Sequence, residues 1–116
     1  MAIVAFGWAS QYAPGVIQQR YGHLPAQLPE VAGYVAVVEC DRLGELLYIR
    51  PEGSVVWELF LVTDCSGHAA TTAWMRNNNI PVEVDHETAR RWGTVGRGMR
   101  VEITDYAEHD YADLMN

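Results

Sequence analysis

The chain has 116 residues, 49% of them hydrophobic, and a formal net charge of −7. That length fits one compact domain, the apolar content excludes a disordered chain, and no apolar stretch is long enough to span a bilayer. All eight basic residues are arginine, which excludes lysine Schiff-base chemistry, and the acidic balance excludes nucleic acid, whose phosphates need a basic footprint.

The opening "MAIVAFGWAS" is apolar but has no basic flank, so it does not read as a signal peptide. Residues Ile3 to Tyr12 alternate loosely and predict a strand. Pro14-Gly15 predicts a turn, the stretch from Val16 to Gly22 is ambiguous, and "LPAQLPE" (Leu24 to Glu30) predicts an extended loop because of its two prolines. "GYVAVVEC" from Gly33 is β-branched and predicts a buried strand. "DRLG" predicts a turn, "ELLYIR" a second strand, "PEGS" a tight turn, and "VVWELFLVTD" a third strand. These three are expected to form an antiparallel meander. Ala69 to Arg76 predicts a short helix with Trp74 and Met75 inward, ended by Asn77 to Asn79. "IPVEV" predicts a strand, "HETARRWG" a two-turn helix closed by Gly93, and "GMRVEIT" the last strand.

Two cysteines, Cys40 and Cys65, fall near the ends of predicted strands. They suit a disulfide in a secreted protein, or two buried thiols. The barrel domain is expected over residues 1–104. The remainder, 105–116, holds Asp105, Glu108, Asp110 and Asp113 with no arginine and reads as an acidic, solvated tail. "VAGYVAVVE" and "VGRGMRVEI" each set a glycine before a β-branched run, a weak echo that would suit two related halves.

Three landmarks occur in order: "ASQYAPG" (Ala9 to Gly15); Leu28-Pro29 followed by a strand, a hairpin and "VTDCSG"; and "VEVDHETARRWGTVGRGMRVEI". Together they resemble the double-psi β-barrel group of rare lipoprotein A, barwin, expansins and family 45 glycoside hydrolases, over roughly residues 7–103. The resemblance implies a mainly β fold, a six-stranded double-psi β-barrel with one or two short helices and a groove across one face. It also implies a polysaccharide partner (peptidoglycan or β-glucan), an extracellular or cell-envelope setting, and cleavage or loosening of glycosidic bonds. The family's acid falls on Asp85, its strand-end aspartate on Asp64 and its opening tyrosine on Tyr12. Two departures stand out. Pro14 occupies the position of the hydrolases' base aspartate, and Pro25 that of a histidine in the rare lipoprotein A relatives. A mechanism with a single acid survives them, and two-carboxylate inversion loses its expected second member.

Each candidate also has a structural role open to it. Asp85 stands where a helix N-cap would, with its carboxylate expected on the amide of Glu87 or Thr88, and a cap favours the charged form that a proton donor must avoid. Asp64 suits a turn as well as a groove, where it would tune Asp85. Aromatic composition, 4 Trp and 6 Tyr against 2 Phe, suits sugar faces. Trp8, Tyr12, Trp57, Trp74 and His68 are therefore candidate substrate contacts, core packing being the alternative for the tryptophans. Trp92 reads as core. The spacing of Asp64, His68, Asp85 and His86 matches no metal pattern, and neither a metal nor another cofactor is expected.

Overall fold

Alternating apolar and polar residues in the sequence fold as strands whose inward side chains fill one core. The computed structural model describes residues 5–13 and 30–105. Within them run β1 (Ala5–Gln11), β2 (Gly33–Val37), β3 (Leu46–Pro51), β4 (Glu58–Cys65), α1 (Ala69–Asn77), β5 (Val82–Val84), α2 (His86–Trp92) and β6 (Met99–Asp105). The fold is mainly β. The six strands close into a mixed barrel in the order β1-β5-β2-β4-β3-β6. Among the described residues, no helix is long and apolar enough to cross a membrane.

Pairing departs from the expected meander. Only β3 and β4 form an antiparallel hairpin; β2 does not pair with β3, but runs parallel to β4 and antiparallel to β5. β1 runs parallel to β5 and antiparallel to β6, and β3 and β6 are antiparallel. Every one of these pairings joins a strand from β1–β3 to a strand from β4–β6. Exchanging β1 with β4, β2 with β5 and β3 with β6 reproduces the whole pattern, so the barrel is two interlocked halves. The echo in the sequence linked β2 with β6, whereas the topology makes β5 the counterpart of β2.

The core is built by alternation. β2 contributes Val35 and Val37, β3 Leu47 and Ile49, β4 Phe60 and Val62, β5 Val82 and Val84, and β6 Val101 and Ile103, all buried. Each strand thus places an i, i+2 pair inward, and the residue between them faces out. Trp92 packs against this core from α2, its ring edge-on to Phe60 at 6.0 Å between centroids. Met75, Val38 and Ile80 form a second cluster that seats α1 on the barrel. Met75 is inward as expected, but its neighbour Trp74 is exposed, because a short helix lying on a wall can bury only one stripe.

Boundaries shift in three places. β2 ends at Val37, and Cys40 opens a single 3₁₀ turn, Cys40–Arg42. Val55 and Val56 lie before β4 and are exposed. β6 extends to Asp105, one residue into the expected tail; the remainder of the tail, the Pro14-Gly15 turn, the 16–22 stretch and nearly all of the proline loop lie outside the described residues. Cys40 and Cys65 are joined in a disulfide.

Candidate functional site

On the outer wall of β2, Ala36 is flanked in register by Glu83 of β5 on one side and Asp64 of β4 on the other. With strands about 4.8 Å apart, the two acidic residues stand roughly 10 Å apart at the backbone. The methyl group of Ala36 between them leaves room that a larger side chain would fill. A cavity of about 380 Å³ opens there, lined by Tyr12, Asp64, Ser66, His68, Thr71 and Glu83 among others, with Ala36, Cys65 and Met75 also on its wall. β1 supplies Tyr12 just past its last residue, where the Tyr12 amide donates to the Val84 carbonyl at 2.9 Å. The start of α1 closes the remaining side.

Asp64 is held in place from two directions. Its Oδ2 accepts a hydrogen bond from the Tyr12 hydroxyl at 2.6 Å, and its Oδ1 accepts one from the Cys65 amide at 2.9 Å. The sequence offered Asp64 either a turn role or a groove role, and the geometry combines them. One oxygen satisfies the next residue's N–H, and the side chain as a whole faces the cavity.

Glu83 is the residue that sequence reasoning missed. It lies in a three-residue strand between Val82 and Val84, both inward, which turns it to the outer wall. Burial beneath the surrounding elements raises its pKa above its ordinary value, and the charge on Asp64 raises it further. Its register partner on β1 is Ser10, whose buried hydroxyl has no hydrogen-bond partner among the described residues. The available signal was the V-E-V alternation itself, which marks an outward acid. Nothing local says that a second acid stands two strands away.

Asp85 lies elsewhere. It is 4% exposed and is not among the residues lining the cavity. It occupies the N-cap position of α2 by backbone geometry, its carbonyl accepting from the Ala89 amide at 3.2 Å, but its carboxylate makes no bond to a helix amide. Instead Oδ1 accepts from the Thr88 hydroxyl at 2.6 Å and from the Tyr34 amide at 3.2 Å. The side chain ties the first turn of α2 to β2. Gly33 makes this approach possible: a Cβ there would sit 2.6 Å from Asp85 Oδ1 and 2.4 Å from Thr88 Oγ1.

The cavity therefore gathers Tyr12, Asp64 and His68 from the expected set, joined by Glu83. Trp8, Trp57 and Trp74 do not line it. Trp8 and Trp57 stand beneath arginines on other walls, and Trp74 projects from α1. No arginine lines the cavity either. Among the described residues, no group of three or more His, Cys, Asp or Glu converges as a metal site. Comparison with protein-family models, with curated proteins and with solved structures finds no match.

Proposed function

We propose that the chain is a double-psi β-barrel acting on cell-wall polysaccharide, with the Glu83–Asp64 cavity as its site of glycosidic-bond cleavage. The observation that carries this reading is one acid held toward its protonated form by burial and by the charge of Asp64 beside it. A carboxyl group held toward its protonated form by burial and by a neighbouring carboxylate is the usual setting of a general acid. The interlocked pairing of two three-strand halves supports the barrel type, and the Cys40–Cys65 disulfide supports an extracellular or cell-envelope setting.

In this reading the proton donor is Glu83, two residues before the aspartate on which the resemblance sets the family's acid. Asp85 is spent on Tyr34 and Thr88. A glycan seated against Tyr12 would present its bridging oxygen to Glu83. The carboxyl proton passes to that oxygen as the C1–O bond breaks, and the leaving sugar departs as an alcohol. Positive charge developing at C1 is stabilised by Asp64, whose position is set by Tyr12 and Cys65. Water, or the sugar's own 6-hydroxyl, then bonds to C1, and the proton it sheds returns to the Glu83 carboxylate. His68 and Ser66 at the rim are placed to hydrogen-bond sugar hydroxyls.

The test is Glu83→Gln, assayed for soluble product from peptidoglycan and from β-glucan. Glutamine keeps the shape and removes the transferable proton. Activity should fall at least 100-fold, the lower range for loss of a general acid. Asp85→Asn, by contrast, should lose stability without a specific loss of turnover in the molecules that remain folded. A folded Glu83→Gln variant with full activity would overturn the reading. So would a wild-type protein that binds these polymers and cleaves neither, which would leave a non-catalytic glycan-binding barrel.

A further inference from the structure

The wall made by β1, β6 and β3 carries a second arrangement that the cavity does not use. Directly paired residues share a face, so two rows run across these strands. One row is Phe6 on β1, Glu102 on β6 and Arg50 on β3. The other begins with Trp8 on β1 and Arg100 on β6. Glu52, just past β3, closes the second row: its amide donates to the Arg100 carbonyl, and its carboxylate pairs with the Arg100 Nε at 2.9 Å. Arg50 pairs with Glu102 at 2.7 Å.

Each arginine also lies over a tryptophan. The Arg50 guanidinium sits 4.2 Å from the centre of the Trp57 ring, and that of Arg100 is 5.5 Å from the Trp8 ring. The two aromatic rings are thus held by cation–π contacts whose cations are themselves tied down by glutamates. Phe6 is 60% exposed and Trp8 42% exposed, a large aromatic area left facing solvent. Val55 and Val56, immediately before Trp57, extend the apolar surface beyond the strands. Three strands span about 10 Å and the rows lie about 7 Å apart, dimensions close to those of two linked sugar rings.

From this arrangement we infer that the β1–β6–β3 wall is a docking platform for the surface of an insoluble, uncharged polysaccharide, separate from the cavity. Three features select that occupant. Two arginines are matched by two glutamates, so the patch is neutral on a chain whose net charge is −7, and an anionic polymer finds neither an unmatched cation in it nor an attractive field around it. Aromatic rings held by arginines stacked on one face, with paired glutamates alongside, offer apolar surface to a sugar's C–H face and charged groups to its hydroxyls, with little side-chain entropy left to lose. Both rows lie on the outside of the closed barrel, with Phe6 and Trp8 open to solvent. Such a wall suits the exposed face of packed chains better than one chain enclosed on several sides.

The inference rests on the ligand being a glycan, but not on the chemistry of the cavity, and the experiment separates the two. Wild type, Phe6→Ala/Trp8→Ala, Trp57→Ala and Glu83→Gln are mixed with microcrystalline cellulose, with chitin and with peptidoglycan sacculi, and partition to the solid is measured. Cleavage of short soluble oligosaccharides is measured in parallel. Both aromatic variants are expected to lose at least tenfold in partition to cellulose or chitin and to keep soluble turnover; Phe6→Ala/Trp8→Ala is also expected to keep the wild-type melting temperature, because those two rings are exposed. Glu83→Gln is expected to bind the solid like wild type. Wild-type partition by both aromatic variants, no partition of the wild type to cellulose or chitin, or partition to the anionic sacculi alone would overturn the platform. A concentration-dependent dimer abolished by Phe6→Ala/Trp8→Ala would also overturn it and assign the face to a second copy of the chain. If partition depends on the aromatics while Glu83→Gln retains full cleavage, the platform stands and the catalytic reading fails.

Discussion

Glu83 on β5 and Asp85 just past its end sit two residues apart and have different fates, decided by what each meets. Asp85 has left the strand and turned beneath α2, where Thr88 and Tyr34 take its oxygen. This burial depends on Gly33 having no side chain. In Gly33→Ala the new methyl group would meet Asp85 Oδ1, Thr88 Oγ1 and the Phe60 ring within 3 Å. None of these is the free end of a flexible chain. The expected cost is about 3 kcal/mol, combining overpacking with a weakened hydrogen bond to a charged group, read as a lower denaturant midpoint. An unchanged midpoint would mean that α2 lifts away freely. Glu83 carries a different cost. Its folded pKa lies above its unfolded value because it is buried and faces Asp64. Between those two values the folded chain binds more protons, so stability falls as pH rises through that window and levels off above it. Glu83→Gln removes this penalty. The variant should melt higher than wild type at neutral pH and show a flatter acid limb; equal melting temperatures at neutral pH would argue that Glu83 is freely solvated.

At the level of elements, the end of β4 is where fold and site meet. Cys65 closes the strand, lines the cavity, donates its amide to Asp64 and carries the disulfide to Cys40. The bridge closes a separation of 25 residues that contains β3 and most of β4. Chain-entropy reasoning gives such a loop about 3.5 kcal/mol. The paired change Cys40→Ser/Cys65→Ser should lower stability by about that amount in denaturant titration, and reduction of the wild type should do the same. A loss below about 1 kcal/mol would mean that the hairpin already holds Cys40 and Cys65 together. The α2 helix is bounded as its sequence implies. Gly93 ends it in the left-handed conformation at φ 73°, and Arg90 and Arg91 lie in its last turn, where cations suit the carbonyl end. Arg91 reaches back to Glu58 at 2.5 Å, and the Trp92 indole N–H donates to the same carboxylate at 2.8 Å, so one glutamate on β4 fastens the helix's C-terminal turn.

For the whole molecule, the decisive fact is that every strand pairing crosses between the first three strands and the last three. Among the described residues, neither half has an internal ladder. A chain divided at Val55, in the exposed connection between β3 and β4, should therefore give two fragments without sheet structure when separate. Mixed in equal amounts, with the cysteines free to re-form their bridge, they should regain the β signal in circular dichroism. A sheet signal from either fragment alone would contradict the topology.

The features legible in the chain are local ones. β-branched and alternating runs located the strands, and "HETARRWG" the second helix with its glycine stop, because each of these depends on neighbours within a few residues; the barrel was expected from the resemblance carried by three landmarks in order. Asp64 and Tyr12 could be named in advance from the resemblance carried by "VTDCSG" and "ASQYAPG", although the hydrogen bond between them could not. Tertiary structure alone decided the rest. Sequence neighbours usually pair, which favoured a meander, yet β2 finds its partners in β4 and β5 after long connections. Glu83 becomes an unusual acid because the fold buries it, and further because Ala36, 47 residues earlier, sets Asp64 two strands away on the same wall. Trp8 and Trp57 leave the cavity for a common wall because β6 lies between β1 and β3. Each of these outcomes turns on which strands become neighbours, a choice made by closing the barrel and not by any stretch of chain read alone.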